Sequence, residues 1–404
     1  MFDVGDTLML NGATLRFFRY ARFLRQRGHK VYFLVPDWSY NEGILQQLVD
    51  RGDIDGFSRL TSYYARGWVN FVSRIFVHPR IRNWILRYQQ QEALRCLQQA
   101  MDRWHCDLIM LSSRMYLFAI PDLQRQSAVV VDWGDSFALA WWRTLMLKIR
   151  RRELRGFGNA IRMLLAYAAD ESYYPKLAEA TIVVSPVDKQ AIDRLCKAPE
   201  RVYVNPNGIS FPDSPPQRQR DPNRIIFTGW MNFPPNYDAA LWFLDDVFPL
   251  VLSARPSTKF VIAGAEPPPA LLDRASSSVE ITGAVPDLSS EIACSGLYVA
   301  PLVSGGGFKN KVFEAIAAGT YVVGTSIATE FLTPDLRQCT TVADGAVPLA
   351  HAILKALADL EALRPAVERA QEILRREHSW EACARRQESI FETAIQSRKS
   401  KLSR

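Results

Sequence analysis

The chain has 404 residues, 48% of them apolar and 23% charged, enough to bury the cores of two or three domains without staples. Its 49 basic and 42 acidic side chains leave a net charge of +7, unevenly spread: residues 1–205 carry 29 basic and 20 acidic groups, residues 206–404 carry 20 and 22. Apolar runs too short for a membrane span, acidic Asp3 and Asp6 at the start and six scattered cysteines without a CxxC pair argue against a spanning protein, a secretory leader, a disulfide framework and a zinc site.

In chain order, residues 1–10 form a poor strand, interrupted by Asp3, Gly5 and Asp6. Either a ragged strand sits there or the chain starts later than its ancestor did. A helical pattern follows over 12–27. Continuous apolar runs at 30–35 (KVYFLV), 106–111 (CDLIML), 128–132 (AVVVD) and 180–185 (ATIVVS) predict strands covered on both faces. Helical patterns at about 80–104, 138–176 and 186–197 lie between them. The Pro- and charge-rich stretch near 210–223 predicts a linker. The alternation then restarts with strands at 224–229, 259–264, 279–283, 297–301 and 321–325, and helices at about 236–254 and 309–318. A charged helical tail runs from about 345 to 396. Strands alternating with helices predict parallel sheets with crossover helices, an α/β protein with two Rossmann-like halves. The boundaries drawn are 1–205, a linker 206–223, 224–380, and a last helical piece 381–404.

The most informative segment is 301–319, PLVSGGGFKNKVFEAIAAG. Gly305, Gly306 and Gly307 follow a predicted strand and open a helix, so backbone N–H groups and the helix start can meet an anion. Lys309 and Lys311 stand in the first turn, where the helix dipole repels a cation unless an anion sits between. Glu314 follows, placed to accept both hydroxyls of a ribose. The alternative is a glycine turn before a solvated helix.

This pattern, with EAIAAG leading into a VV-containing strand, resembles the nucleotide-sugar site of family 4 glycosyltransferases. Asn11-Gly12 with Arg16, the helix end Arg27-Gly28-His29-Lys30-Val31, Asn205-Pro206-Asn207-Gly208 and Phe227-Thr228-Gly229 before Pro235-Asn236-Tyr237-Asp238-Ala239 resemble that family in order. The motifs from Phe227 to Ala239, with Gly283-Ala284-Val285-Pro286-Asp287, resemble its exopolysaccharide-associated subgroup. The resemblance implies a GT-B fold, two Rossmann-like domains with parallel sheets facing across a cleft, and the last helix returning to the first domain. It implies retaining transfer from a nucleotide diphosphate-sugar to a growing polysaccharide or lipid-linked glycan, without a separate cofactor or metal. Gly229, Gly305, Gly306, Gly307, Phe308, Lys309 and Lys311 would face the diphosphate, Val285 the base and Glu314 the ribose. Asn11, Gly12 and Ser113 would face the sugar or acceptor. The family's first donor-loop glutamate falls at Gly306, and Trp230-Met231 replace its Arg and Lys. Other readings are a nucleotide-sugar enzyme without transfer and a non-catalytic subunit of a polysaccharide assembly complex.

Asp135 is the candidate catalytic polar group, or else a helix N-cap before Phe137. The stretch from Trp141 to Arg155 (WWRTLMLKIRRRELR) is basic and apolar by turns. It suits an anionic membrane surface, and otherwise reads as a packed helix with a solvated basic face. No nucleic-acid module accompanies it. The expected location is cytoplasmic, with peripheral attachment to the inner membrane face.

Overall fold

The computed structural model describes residues 12–39, 41–61, 78–150, 152–212, 219–305 and 307–403. The chain divides into two compact units, Met1–Asn207 with Cys383–Arg404, and Gly208–Ala382. The predicted strand within residues 1–10, and with it Asn11, lies outside the described residues.

The first unit runs α1 (Gly12–Gln26), β1 (Tyr32–Pro36), α2 (Glu42–Asp50), β2 (Gly56–Leu60), α3 (Pro79–Trp104), β3 (Leu108–Leu111), β4 (Ala128–Gly134), α4 (Phe137–Arg150), α5 (Phe157–Leu177), β5 (Ala180–Val183), α6 (Pro186–Cys196) and β6 (Val202–Val204). β3-β4-β5-β6 form one parallel sheet, and β1 pairs with β2 in parallel separately. The uninterrupted apolar run of β4 is explained by cover on both faces. Val129 and Val131 join a core with Ala93, Leu97 and Met101 of α3. Ala128 and Val130 pack with Ile390 and Ala394 near the chain's end.

The single helix expected over 138–176 is two. Between them Arg152 and Gly156 take left-handed φ angles of 53° and 72°, and the chain turns. β2 and β6 were not expected: one is GFSRL, without an apolar run, and the other is three residues long.

Asp170 of α5 is wholly buried and flanked by Arg82 (2.5 Å) and Arg114, whose guanidinium also reaches the Ala166 carbonyl at 3.3 Å. Asp170→Ala would leave two cations without their carboxylate. The expected loss is about 3–5 kcal/mol, read from urea unfolding.

The second unit runs β7 (Asp221–Thr228), α7 (Pro234–Trp242), α8 (Phe248–Ala254), β8 (Lys259–Ala263), β9 (Val279–Gly283), β10 (Ser295–Ala300), α9 (Asn310–Ala317), β11 (Tyr321–Gly324), β12 (Thr340–Val342), α10 (Ala346–Ala358) and α11 (Leu360–His378), and α12 (Trp380–Leu402) starts in it and belongs to the first unit from Cys383 on. Its six strands are parallel, in the order β12-β11-β10-β7-β8-β9. β7 opens at Asp221, inside the stretch expected to be linker. The helix expected over 236–254 is interrupted by a π-turn at Phe243–Val247. Pro249 follows and has no N–H for the regular ladder. The chain leaves the first unit at Asn207 and returns to it at Cys383, within α12. Among the described residues no helix is long and apolar enough to cross a membrane. All six cysteines are free.

Candidate active site

The second unit gathers its glycines where the strands end. Gly229 follows β7, and its N–H donates to the Ala263 carbonyl at 3.1 Å. Gly264 follows β8 and donates to the Gly283 carbonyl at 2.9 Å. A Cβ on Gly229 would stand 2.7 Å from Asn236 Nδ2 and 2.8 Å from Lys311 Nζ. The absent side chain is therefore what admits these two groups. Lys311 Nζ donates to Asn236 Oδ1 at 2.5 Å, and Asn236 Nδ2 donates to the Trp230 carbonyl at 2.8 Å. The Lys311 ammonium also lies 4.6 Å from the centre of the Phe227 ring. Crowding by protein pushes the Lys311 amine down to about 7, against the pull of Glu314, while Lys309 lowers it further.

Beyond β10, Gly305 and Gly307 have φ angles of 106° and 77°, which favour glycine. Gly306 lies outside the described residues. Lys309 is buried, donates to the Gly307 carbonyl at 2.9 Å, and stands at the N-terminus of α9, where no side chain caps the helix. Glu314 is exposed, one turn past Lys311. Phe308 packs against Phe313 and Phe331, with ring centres 4.5 and 5.9 Å away, so its ring belongs to the packing. Val285 is half-buried in the loop after β9. An open glycine loop, an uncapped helix start and two lysines make an arrangement suited to a diphosphate.

In the first unit Gly12 opens α1. Asp135 is half-buried in the turn after β4. It is not the cap of α4: Ser136 Oγ accepts the Leu139 N–H at 3.2 Å. The turn is held from below. Glu171 Oε1 accepts from Trp133 Nε1 (3.2 Å) and the Ala138 N–H (3.0 Å), and Oε2 accepts from Ser136 Oγ (2.7 Å). Asp188 accepts the Ser136 N–H at 2.8 Å. Burial pushes the Glu171 carboxyl up to about 7 against these bonds. On the same strand Asp132 forms a buried ion pair with Arg16 at 3.2 Å. Ser113 caps a short 3-10 turn, accepting the Met115 N–H at 3.3 Å. In the stretch from Trp141 to Arg155 the helix stops at Arg150, and Trp142, Ile149 and Leu154 are exposed. Lys148 is held by Glu153 at 2.7 Å and by the Arg155 carbonyl at 2.8 Å.

Sequence reasoning gave Asn236 no role, although it joins Lys311 to the loop after β7. Its signal was its place seven residues beyond Gly229, in the first turn of a helix. Glu171 carried none, and Asp188 signalled only its local pairing with Ser185 at the start of α6, because the contacts of both with the turn after β4 span 33 to 52 residues.

Residues 222–359 match the family model for Glycosyl transferases group 1. A stretch of 115 residues is 26% identical to an uncharacterized 44.6 kDa protein in the cps region of Klebsiella pneumoniae, spanning 26% of this chain and 30% of that relative. Among solved structures, Anabaena Alr3699/HepE in complex with UDP superposes with a TM-score of 0.64 at 13% identity, covering 95% of this chain and 96% of its own. A glycosyltransferase from Rickettsia africae gives 0.63 at 14%, covering 96% of each chain. WaaG, a glycosyltransferase involved in lipopolysaccharide biosynthesis, gives 0.57 at 14%, covering 95% and 97%. The chain has the GT-B fold. The match to the group 1 glycosyltransferase model lies within its second unit.

Proposed function

We propose that this chain is a retaining glycosyltransferase of the family 4 type. It moves a sugar from a nucleotide diphosphate donor to a growing polysaccharide or lipid-linked glycan, in exopolysaccharide or cell-surface glycan synthesis. The observation that carries the reading is the joining of Gly229, Asn236 and Lys311 beside the Gly305–Gly307 loop and the uncapped start of α9. The diphosphate would lie over Gly229 and that helix start, balanced by Lys309 and Lys311. Glu314 would accept the ribose hydroxyls, and the loop at Val285 would hold the base. Asn11, Gly12 and Ser113 would face the sugar or acceptor, with Asp135 as the polar group at the strand end. Such a site works by orienting the acceptor hydroxyl and stabilising the leaving diphosphate.

UDP is the first nucleotide to test, because Alr3699/HepE was solved with it and the Klebsiella relative's cps region agrees with a polysaccharide role. Purified protein is incubated with UDP-, GDP- and dTDP-sugars, and nucleotide diphosphate release is measured with and without glycan acceptors. Release that rises with one acceptor is expected. Release without any acceptor dependence would favour a donor-processing enzyme, and no turnover with any donor a binding subunit.

The same reading places the protein on the cytoplasmic membrane face, through Trp142, Ile149, Leu154 and the neighbouring arginines. Co-sedimentation with vesicles should be greater for anionic than for neutral lipid and should fall with salt. Equal binding to both lipids would remove the electrostatic part.

A further inference from the structure

We propose that Trp230, Asn232, Phe233 and Glu266 form a binding site for a pyranose ring, beside the groups assigned to the diphosphate. The proposal deepens the glycosyl-transfer reading. It rests on that reading for the source of the sugar, donor or acceptor, but not for the binding itself.

Trp230 and Phe233 begin and end one tight turn, in which the Phe233 N–H donates to the Trp230 carbonyl at 3.2 Å. Their rings are parallel within 5°, with centres 6.5 Å apart, and are 49% and 47% exposed. A flat ligand lying on one ring is therefore parallel to the other as well. The turn beneath is braced. Met231 is buried, and its N–H donates to the Ala265 carbonyl at 2.9 Å. Asn236 Nδ2 donates to the Trp230 carbonyl at 2.8 Å. The indole is fixed as well, because Trp230 Nε1 donates to Glu266 Oε2 at 2.9 Å. Holding a half-exposed side chain in one place costs conformational freedom, and a ligand that meets it does not have to supply that ordering.

The rim of the rings is polar. Asn232 Nδ2 also donates to Glu266 Oε2, at 3.3 Å. Among the described residues neither Glu266 Oε1 nor Asn232 Oδ1 takes a hydrogen bond, and both side chains are exposed. Glu266 reaches this place with a left-handed φ of 53°, a region that a residue with a side chain enters at a cost. A carboxylate only accepts, whereas an amide both accepts and donates. Apolar ring faces with such a rim match a molecule that has a C–H face and hydroxyls around its edge, which is a pyranose. A phosphate would be repelled by Glu266. An apolar chain would desolvate Glu266 and Asn232 without satisfying them.

The position agrees with a sugar next to a diphosphate. Gly229 directly precedes Trp230, and Asn236, which holds the Trp230 carbonyl, accepts from Lys311 Nζ at 2.5 Å. A Cβ on Gly305 would stand 3.2 Å from Pro235 Cβ, so the glycine loop lies against the same turn.

The test compares the full chain with Trp230→Ala, Trp230→Phe and Glu266→Gln. Calorimetry measures UDP and the UDP-sugars of glucose, galactose and N-acetylglucosamine. Saturation-transfer NMR measures the methyl glycosides of the same sugars. At least one sugar, in one of the two forms, should bind the native protein and be weakened about 10-fold or more by Trp230→Ala. Glu266→Gln should weaken it severalfold, and UDP affinity should stay within about twofold in every variant. A loss confined to the UDP-sugar assigns the site to the donor, and a loss of the methyl glycoside assigns it to the acceptor. Trp230→Phe keeps a ring on the same turn and should hold the sugar to within about threefold of native. A loss as large as alanine's would overturn stacking on the ring. UDP weakened as much as its sugars would mean that the base lies on Trp230, and overturns the proposal. So does a native protein that binds none of these sugars in either form, or sugar affinity unchanged in Trp230→Ala. Sugar binding that needs Trp230 in a protein without affinity for UDP would uphold the site and remove the donor reading. UDP binding without any Trp230-dependent sugar would do the reverse.

Discussion

Lys311→Met is expected to weaken UDP binding by about 10–100-fold while leaving the fold intact. The ammonium donates to Asn236 Oδ1 and faces the space above Gly229, so its removal deletes a charge-assisted contact to an anion, about 1.5–3 kcal/mol. The pH dependence gives an independent check. With its pKa lowered to about 7, Lys311 is partly neutral in the free protein above that pH. A bound diphosphate favours the charged amine and raises the pKa again. Binding then takes up a proton above pH 7, and affinity falls as pH rises through that range. Calorimetry at pH 8 in buffers of differing ionisation enthalpy should show net proton uptake by the native protein and less by Lys311→Met. Binding that is equal in the two proteins, with no uptake in either, would remove Lys311 from the site.

How much of this was legible in the sequence depended on how local each signal was. The segment from Gly305 to Gly319 combines turn, helix start and cations within fifteen residues, and the structure draws Gly305, Gly307, Lys309 and Lys311 together in one loop and helix start. The partner of Lys311 was not legible. Asn236 lies 75 residues away and meets the lysine only because β7 and β10 are neighbours in the sheet. The strand order is set by packing, and no local pattern encodes it. The basic stretch near 150 misled for the opposite reason. Its helical period continues through Arg152, but that residue adopts a left-handed conformation that its side chain does not advertise. The interruption of the helix near 243 was written in Pro249, whose missing N–H forbids an unbroken ladder. In the turn after β4, the choice of Ser136 over Asp135 as the cap follows from Glu171 and Asp188, which already fix Ser136.

The largest effect on the fold of the candidate site is expected from one methyl group at Gly264. A Cβ there would lie 1.7 Å from the carbonyl oxygen of Gly229 and 2.7 Å from its carbonyl carbon. Neither atom is the end of a flexible side chain. Gly229 is held by its N–H bond to Ala263, and Trp230, the next residue, by Asn236. Gly264→Ala must therefore displace the Gly229 carbonyl, and with it the loop after β7 that Asn236 and Lys311 brace. The expected cost is about 3 kcal/mol or more in urea unfolding, with UDP binding lost in the fraction that still folds. Gly283→Ala is the control. Gly283 ends the neighbouring strand at φ 66°, and a Cβ there meets nothing within 4 Å. It should cost only the left-handed strain of an alanine, about 1–2 kcal/mol, and leave UDP affinity within about twofold. Equal losses in the two variants would mean that strand-end strain, and not contact with Gly229, decides. A stable Gly264→Ala protein with native UDP affinity would show that the diphosphate does not depend on the position of the Gly229 loop.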